Sequence, residues 1–107
     1  MAQKILLTWN IRARSERDQR EHFKLVRDFV GKLPTAGLKL EDAWYTAYGN
    51  APQVLLGIVA HDQREQDLRA VLGSEAWEQL ISEIKVHIID YRQRIITLSP
   101  GNSQFQV

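Results

Sequence analysis

Three histidines, an asparagine–arginine pair and a handful of aromatic residues carry whatever chemistry this chain can offer. Asn10 and Arg12 stand two apart in a segment, KILLTWNIR, that alternates as a strand does, so both fall on one face. An amide beside a guanidinium makes a fork of donors able to orient a carboxylate or an enolate. Trp44 and Tyr48 share a parity on a second extended segment and can wall the same space. Tyr91 brings a phenol either to a cavity or to a subunit seam. His61 ends a strand, and a polar group there can reach the same cavity. His22 and His87 are, like His61, isolated in sequence. A metal or haem site would need one of them to meet partners, and no HxH, HExxH or carboxylate pair supplies ligand spacing. A solvated or structural role is the plainer reading for each. For Arg12 the plainer reading is a cross-strand pair with an acid, with the aromatics packed at a dimer contact.

Composition removes several classes of function. The chain has 107 residues and no cysteine, which excludes disulfides, thiolate zinc sites and a cysteine nucleophile and fits a cytoplasmic protein. The formal net charge of +1 gives no bulk attraction to nucleic acid or to a membrane surface. No apolar run approaches the ~20 residues of a membrane span, and MAQKILLTWN turns polar too early for a signal peptide. Neither a glycine-rich phosphate loop nor a nucleophile-elbow serine is present. Arg17, Arg20, Lys24 and Arg27 form a basic stripe. Glu16, Glu21 and Asp28 are interleaved at ion-pair spacing, which reads as a solvated, salt-bridged helix face.

The elements that must position these residues follow from periodicity. Lys4 to Arg12 alternates, with Ile5, Leu7, Trp9 and Ile11 on the core side. Ser15, with Asp18 three residues on, caps a helix over 16–32 whose apolar stripe is Phe23, Val26, Phe29, Val30 and Leu33. Pro34 and Gly37 end it. Leu38 to Tyr48 and Gln53 to His61 form a hairpin around Gly49-Asn50-Ala51-Pro52. Asp62 and Glu65 open a second helix with Leu68, Val71 and Leu72 buried; Gly73 breaks it, and Ser74 caps a third with Trp77, Leu80, Ile81 and Ile84 buried. Val86 to Leu98 is the last strand. It splits its apolar residues between Val86, Ile88, Ile96 and Leu98 on one parity and Ile89, Tyr91 and Ile95 on the other.

The order strand–helix–strand–strand–helix pair–strand, joined by right-handed crossovers, predicts an α+β ferredoxin-like βαββαβ domain over residues 1–99, with 100–107 as a tail. Its four-stranded antiparallel sheet carries helices on one face, the first and third strands being central. The other face is not clearly polar, and several exposed apolar residues there would make an adhesive patch. A homodimer paired sheet to sheet is the expected solution. RNA-recognition domains share this topology but stack bases on aromatics of the central strands. Here QVLLGIVAH has none, and Trp9 lies on the core side.

With its broken second helix LRAVLGSEAWEQLISEI and long last strand VHIIDYRQRIITL, the chain resembles the dimeric α/β-barrel superfamily of ferredoxin-like folds, in its monooxygenase-like branch. The resemblance implies two sheets forming a barrel and a cavity between sheet and helices that holds a small organic ligand. It implies either a cofactor-independent monooxygenase-like enzyme, using confinement and a few polar groups in place of a cofactor, or a non-catalytic regulatory or assembly domain. No catalytic motif of the group carries over residue by residue. Asn10, Arg12, Trp44, Tyr48, His61 and Tyr91 are therefore the candidate ligand-binding residues.

Overall fold

The computed structural model describes residues 2–12, 15–46, 49, 52–60 and 68–98. Four strands, β1 (Ala2–Ile11), β2 (Leu38–Tyr45), β3 (Val54–Ala60) and β4 (Ile88–Leu98), alternate with helices α1 (Glu16–Lys32), α2 (Leu68–Leu72) and α3 (Glu75–Lys85). The sheet order is β2-β3-β1-β4, with every neighbouring pair antiparallel. This is the ferredoxin-like α+β arrangement, with β1 and β3 central.

Local chemistry sets the helix ends. Ser15 Oγ accepts from the Asp18 N–H at 3.2 Å, and Ser74 Oγ accepts from the Trp77 N–H at 3.2 Å, each satisfying an amide that the first helical turn leaves free. After α1, a single 3-10 turn (Leu33–Ala36) leads to Gly37, whose φ of 75° is the left-handed conformation that glycine adopts without a steric penalty. The Asp62 and Glu65 cap and residues Asn50 and Ala51 of the hairpin turn lie outside the described residues.

The core sits between the helices and one face of the sheet. Ile5, Leu7 and Trp9 of β1 and Leu56 and Ile58 of β3 are buried against Phe29, Leu33, Trp77, Ile81 and Ile84. α1 departs from the pattern expected of it. Phe23 is 44% exposed, while His22 is buried in its place, because His22, Val26, Phe29 and Leu33 form the inward line along the helix.

β4 departs as well. Thr8 faces Arg92 but Asn10 faces Ile89, so the register slips at a bulge where Asp90 takes φ 56°. The slip reverses the simple alternation. Ile88 and Ile95 now share the helix side with Gln93 and Tyr91, whereas Ile89 joins Arg92, Arg94 and Ile96 on the open side. A second slip between Leu40 and Asp42 places Trp44 opposite Leu55 on the open side and Tyr45 opposite Val54 on the helix side.

The open face is mixed. Leu6, Leu55, Val59 and Ile96 are half-buried, and Trp44 and Ile89 are exposed. Lys4 lies almost flat across it. Its ammonium passes over β3 at Gly57 to reach Asp42 and, at 3.0 Å, Glu41 on β2. A Cβ at Gly57 would stand 3.1 Å from Lys4 Cδ and 3.2 Å from Asp42 Oδ2, so the bare glycine is what lets the lysine cross. The hydrogen bond to Asp42 raises the Lys4 pKa above 10.5, in spite of the burial that opposes its charge.

Candidate functional site

The polar groups of the interior converge on Trp9, on the helix side of the sheet near the end of β1. Its indole N–H donates to His22 Nε2 at 2.9 Å, both groups being buried. An indole nitrogen can only donate. The His22 Nε2 is therefore the unprotonated nitrogen, and in the neutral ring the proton sits on Nδ1. That Nδ1 is buried and has no hydrogen-bond partner among the described residues. An unmet donor of this kind costs about 1–3 kcal/mol.

Aromatic rings surround the pair. Tyr91 stacks on Trp9, centroids 6.3 Å apart at 22°, and Phe23 meets the His22 ring edge-on at 5.0 Å. Tyr45 touches Phe23 at 5.6 Å and leaves half of its own surface exposed, forming a rim. On the far side Gln93 Oε1 accepts from the Tyr91 hydroxyl at 2.7 Å and from the Trp77 indole N–H at 3.2 Å. Tyr91 and Trp77 are thereby fixed, and His22 Nδ1 is the group left with spare capacity.

Burial, with a smaller contribution from nearby His87, holds the His22 imidazole below its ordinary value of 6.5. Burial, helped by Glu78, pushes the Tyr91 phenol up. Near neutral pH the interior thus presents a neutral imidazole donor and a neutral phenol. The linkage has a definite sign. Below about pH 6.5 the unfolded chain takes up a proton that folded His22 refuses, so stability falls as pH drops from there toward the depressed native value. Denaturant midpoints measured from pH ~8 to ~5 are expected to decline, and His22→Gln, which keeps an acceptor for Trp9 but does not titrate, is expected to flatten that decline. A slope unchanged in the variant would assign the titration elsewhere.

The structure distributes the sequence-derived candidates over two sides of the sheet. Tyr91 belongs to the interior just described. Asn10 lies on the open side, where Nδ2 donates to Asp90 Oδ2 at 3.0 Å and Oδ1 accepts from the Gln53 N–H at 2.9 Å. Gln53 Oε1 in turn accepts from the Ile11 N–H at 2.7 Å, so Asn10 clamps the end of β1 to β3 and to the β4 bulge. Arg12 follows β1 with an exposed side chain, its backbone N–H donating to His87 O at 3.3 Å. Trp44 is 51% exposed on the open face. Tyr48 and His61 lie outside the described residues. Sequence reasoning set His22 aside as an isolated histidine. The signal that could have found it is its spacing, four positions before Val26 and seven before Phe29, on the inward line of α1. A crevice of about 40 Å³ between α1 and α3, lined by Phe29, Leu80 and Ile84, is far below the ~300 Å³ of an organic-ligand site.

No family model matches this chain, and no curated protein matches it in sequence. Solved structures do resemble it. A NIPSNAP family protein from Agrobacterium tumefaciens superposes with a TM-score of 0.62 at 20% identity, over 94% of this chain and 96% of that one. An antibiotic biosynthesis monooxygenase gives 0.55 at 16%, over 92% and 99%. A dimeric ferredoxin-like protein of unknown function from Thermobifida fusca gives 0.58 at 13%, over 92% of both chains. These likenesses establish the ferredoxin-like fold along nearly the whole chain. Among the described residues no helix is long and apolar enough to cross a membrane, and no cluster of ligating side chains could hold a metal ion.

Proposed function

We propose that this protein is a small-molecule-binding domain that pairs with a second copy through its open sheet face and takes an organic ligand between sheet and helices, beside His22. One observation carries the reading: the buried His22 Nδ1–H, without a partner among the described residues, beside the rings of Trp9 and Phe23. Buried donors are normally paired, and a ligand oxygen would pair this one. Apolar walls with a few placed polar groups are the usual make-up of such sites. The likeness to the NIPSNAP protein and the monooxygenase supports the reading at the level of fold.

A catalytic version of the same reading draws on the same donor. In a water-poor interior it would stabilise an enolate or phenolate oxygen as charge develops there, as oxygenation without a cofactor requires. Asn10, Arg12 and Trp44, on the open side or at its end, then serve the subunit contact and the mouth of the barrel.

Native mass spectrometry of the purified protein is expected to show a bound small molecule that is released on denaturation. His22→Phe, close in shape but without the donor, should lose it while keeping its far-ultraviolet circular dichroism. A wild-type protein that carries no such mass, and whose melting temperature no member of a small-molecule library raises, would overturn the binding reading.

A further inference from the structure

The first half of α1 is held to the sheet by one buried side chain. From Glu16 to Phe23 only His22 is buried; Asp18 is half-buried and the rest are exposed. Phe23 rests on Tyr45, but each ring leaves close to half of its surface in solvent. The second half is anchored several times over. Phe29 meets the Trp77 ring edge-on at 6.1 Å, Leu33 is fully buried, and Lys32 Nζ pairs with Glu83 at 3.0 Å. The buried anchor of the first half is also a group that titrates.

His22 Nε2 accepts from the Trp9 indole, 2.9 Å away. A proton added to the ring goes to that nitrogen, and the indole can only donate. The protonated ring would set two donors against each other with no acceptor between them, and would place a charge in an apolar interior. Among the described residues nothing offsets it. On the helix side β1 and β3 bring apolar side chains and the indole. Of the titratable groups on the elements around the ring (Asp18 and Glu21 on α1, Tyr45 on β2, Lys85 on α3, His87 just before β4 and Tyr91 on it), His87 is the one felt at His22, and it opposes a second positive charge. We infer that the Trp9–His22 bond is an acid-released latch. When His22 takes up a proton the imidazolium leaves the interior, and the turns from Glu16 to Phe23 lift from the sheet while the second half of α1 stays docked. The latch is a local opening, and it does not depend on the binding function proposed above. Lifting uncovers the Trp9 ring, beside which that function places its ligand.

Native-state hydrogen exchange of the full chain, without ligand and with rates corrected for the intrinsic effect of pH, tests the latch. Amides of residues 20–24 are expected to exchange at least ~10-fold faster than those of β1 and β3 and, unlike them, to be insensitive to low concentrations of urea. Between pH ~7 and ~5 their opening should become about 10-fold or more frequent, because the open state takes up near the ordinary histidine value of about 6.5 a proton that the closed state refuses. His22→Gln, which leaves Trp9 an acceptor but takes up no proton, should abolish the acceleration. In the wild type the Trp9 indole N–H should exchange with residues 20–24 and not with the core strands. Three results would each overturn the latch: 20–24 amides that share the urea dependence of β1 and β3, an acceleration that survives in His22→Gln, or a Trp9 indole N–H that opens only with the core.

Discussion

Replacing Trp9 by alanine is expected to cost about 3–5 kcal/mol, a large fraction of the ~5–15 kcal/mol that keeps such a domain folded. Trp9 is fully buried near the C-terminal end of a central strand, with Val54 opposite on β3 and Tyr91 stacked on its ring. Truncation would open a cavity between sheet and α1. It would also remove the Trp9 donor that meets His22 Nε2, leaving that ring with no polar partner among the described residues. Trp9→Phe separates the two costs. It keeps most of the apolar volume and loses the N–H, so about 1–3 kcal/mol is expected from the orphaned acceptor alone. It should also release the imidazole tautomer, allowing Nδ1 to become an acceptor. Urea melts of the wild type and both variants, with His22→Gln as a second background, measure this. Coupling between positions 9 and 22 should amount to ~1 kcal/mol or more. A Trp9→Ala loss below ~1 kcal/mol would mean that the ring is not the keystone its burial implies.

What could be read from the chain and what could not divide along a physical line. α1, at 16–32, followed from a serine cap and an apolar spacing that local chemistry alone enforces. The central places of β1 and β3 followed from how apolar their sequences are. The two sides of β4 did not follow, because strict alternation assumes an unbroken ladder. Nothing in HIIDYRQ marks Asp90 as the residue that turns left-handed and reverses the phase. The candidate site failed for a related reason. Asn10 has the right residue type for ligand work, but its amide is taken up by Asp90 and by Gln53 forty-three positions away, a partnership only the register reveals. His22 was passed over because it stands alone in sequence, beside the expected apolar stripe of α1. It becomes informative only once Trp9 is seen to donate to it and its other nitrogen is seen to have no partner.

The remaining large effect concerns the open face, where Leu55→Glu is expected to convert the proposed dimer into a folded monomer. Leu55 lies at the middle of that face, flanked by Thr8 on β1 and Trp44 on β2, and is half-buried within its own chain. A stable pairing needs ~1,200–2,000 Å² of total buried surface, and Leu6, Leu55, Val59, Ile96 and Trp44 supply an apolar centre for it. Charge suggests the alignment. Arg92 and Arg94 project from the open side of β4 at one edge, and Glu41, which shares Lys4 with Asp42, stands on β2 at the other. In the pairing proposed above, a twofold axis parallel to the strands would lay β4 of one protomer over β2 of its partner, so that each arginine pair would meet an acid. Glutamate at position 55 would then bury a carboxylate from each copy near the centre of the contact, weakening association by at least ~100-fold. Stability of the single domain should change little, because the side chain can turn to water once the partner leaves. Light scattering coupled to size exclusion, at micromolar protein and with circular dichroism as the folding control, reads both states. A monomeric wild type, or a Leu55→Glu protein that remains dimeric, would show that the apolar side chains of this face serve some other purpose.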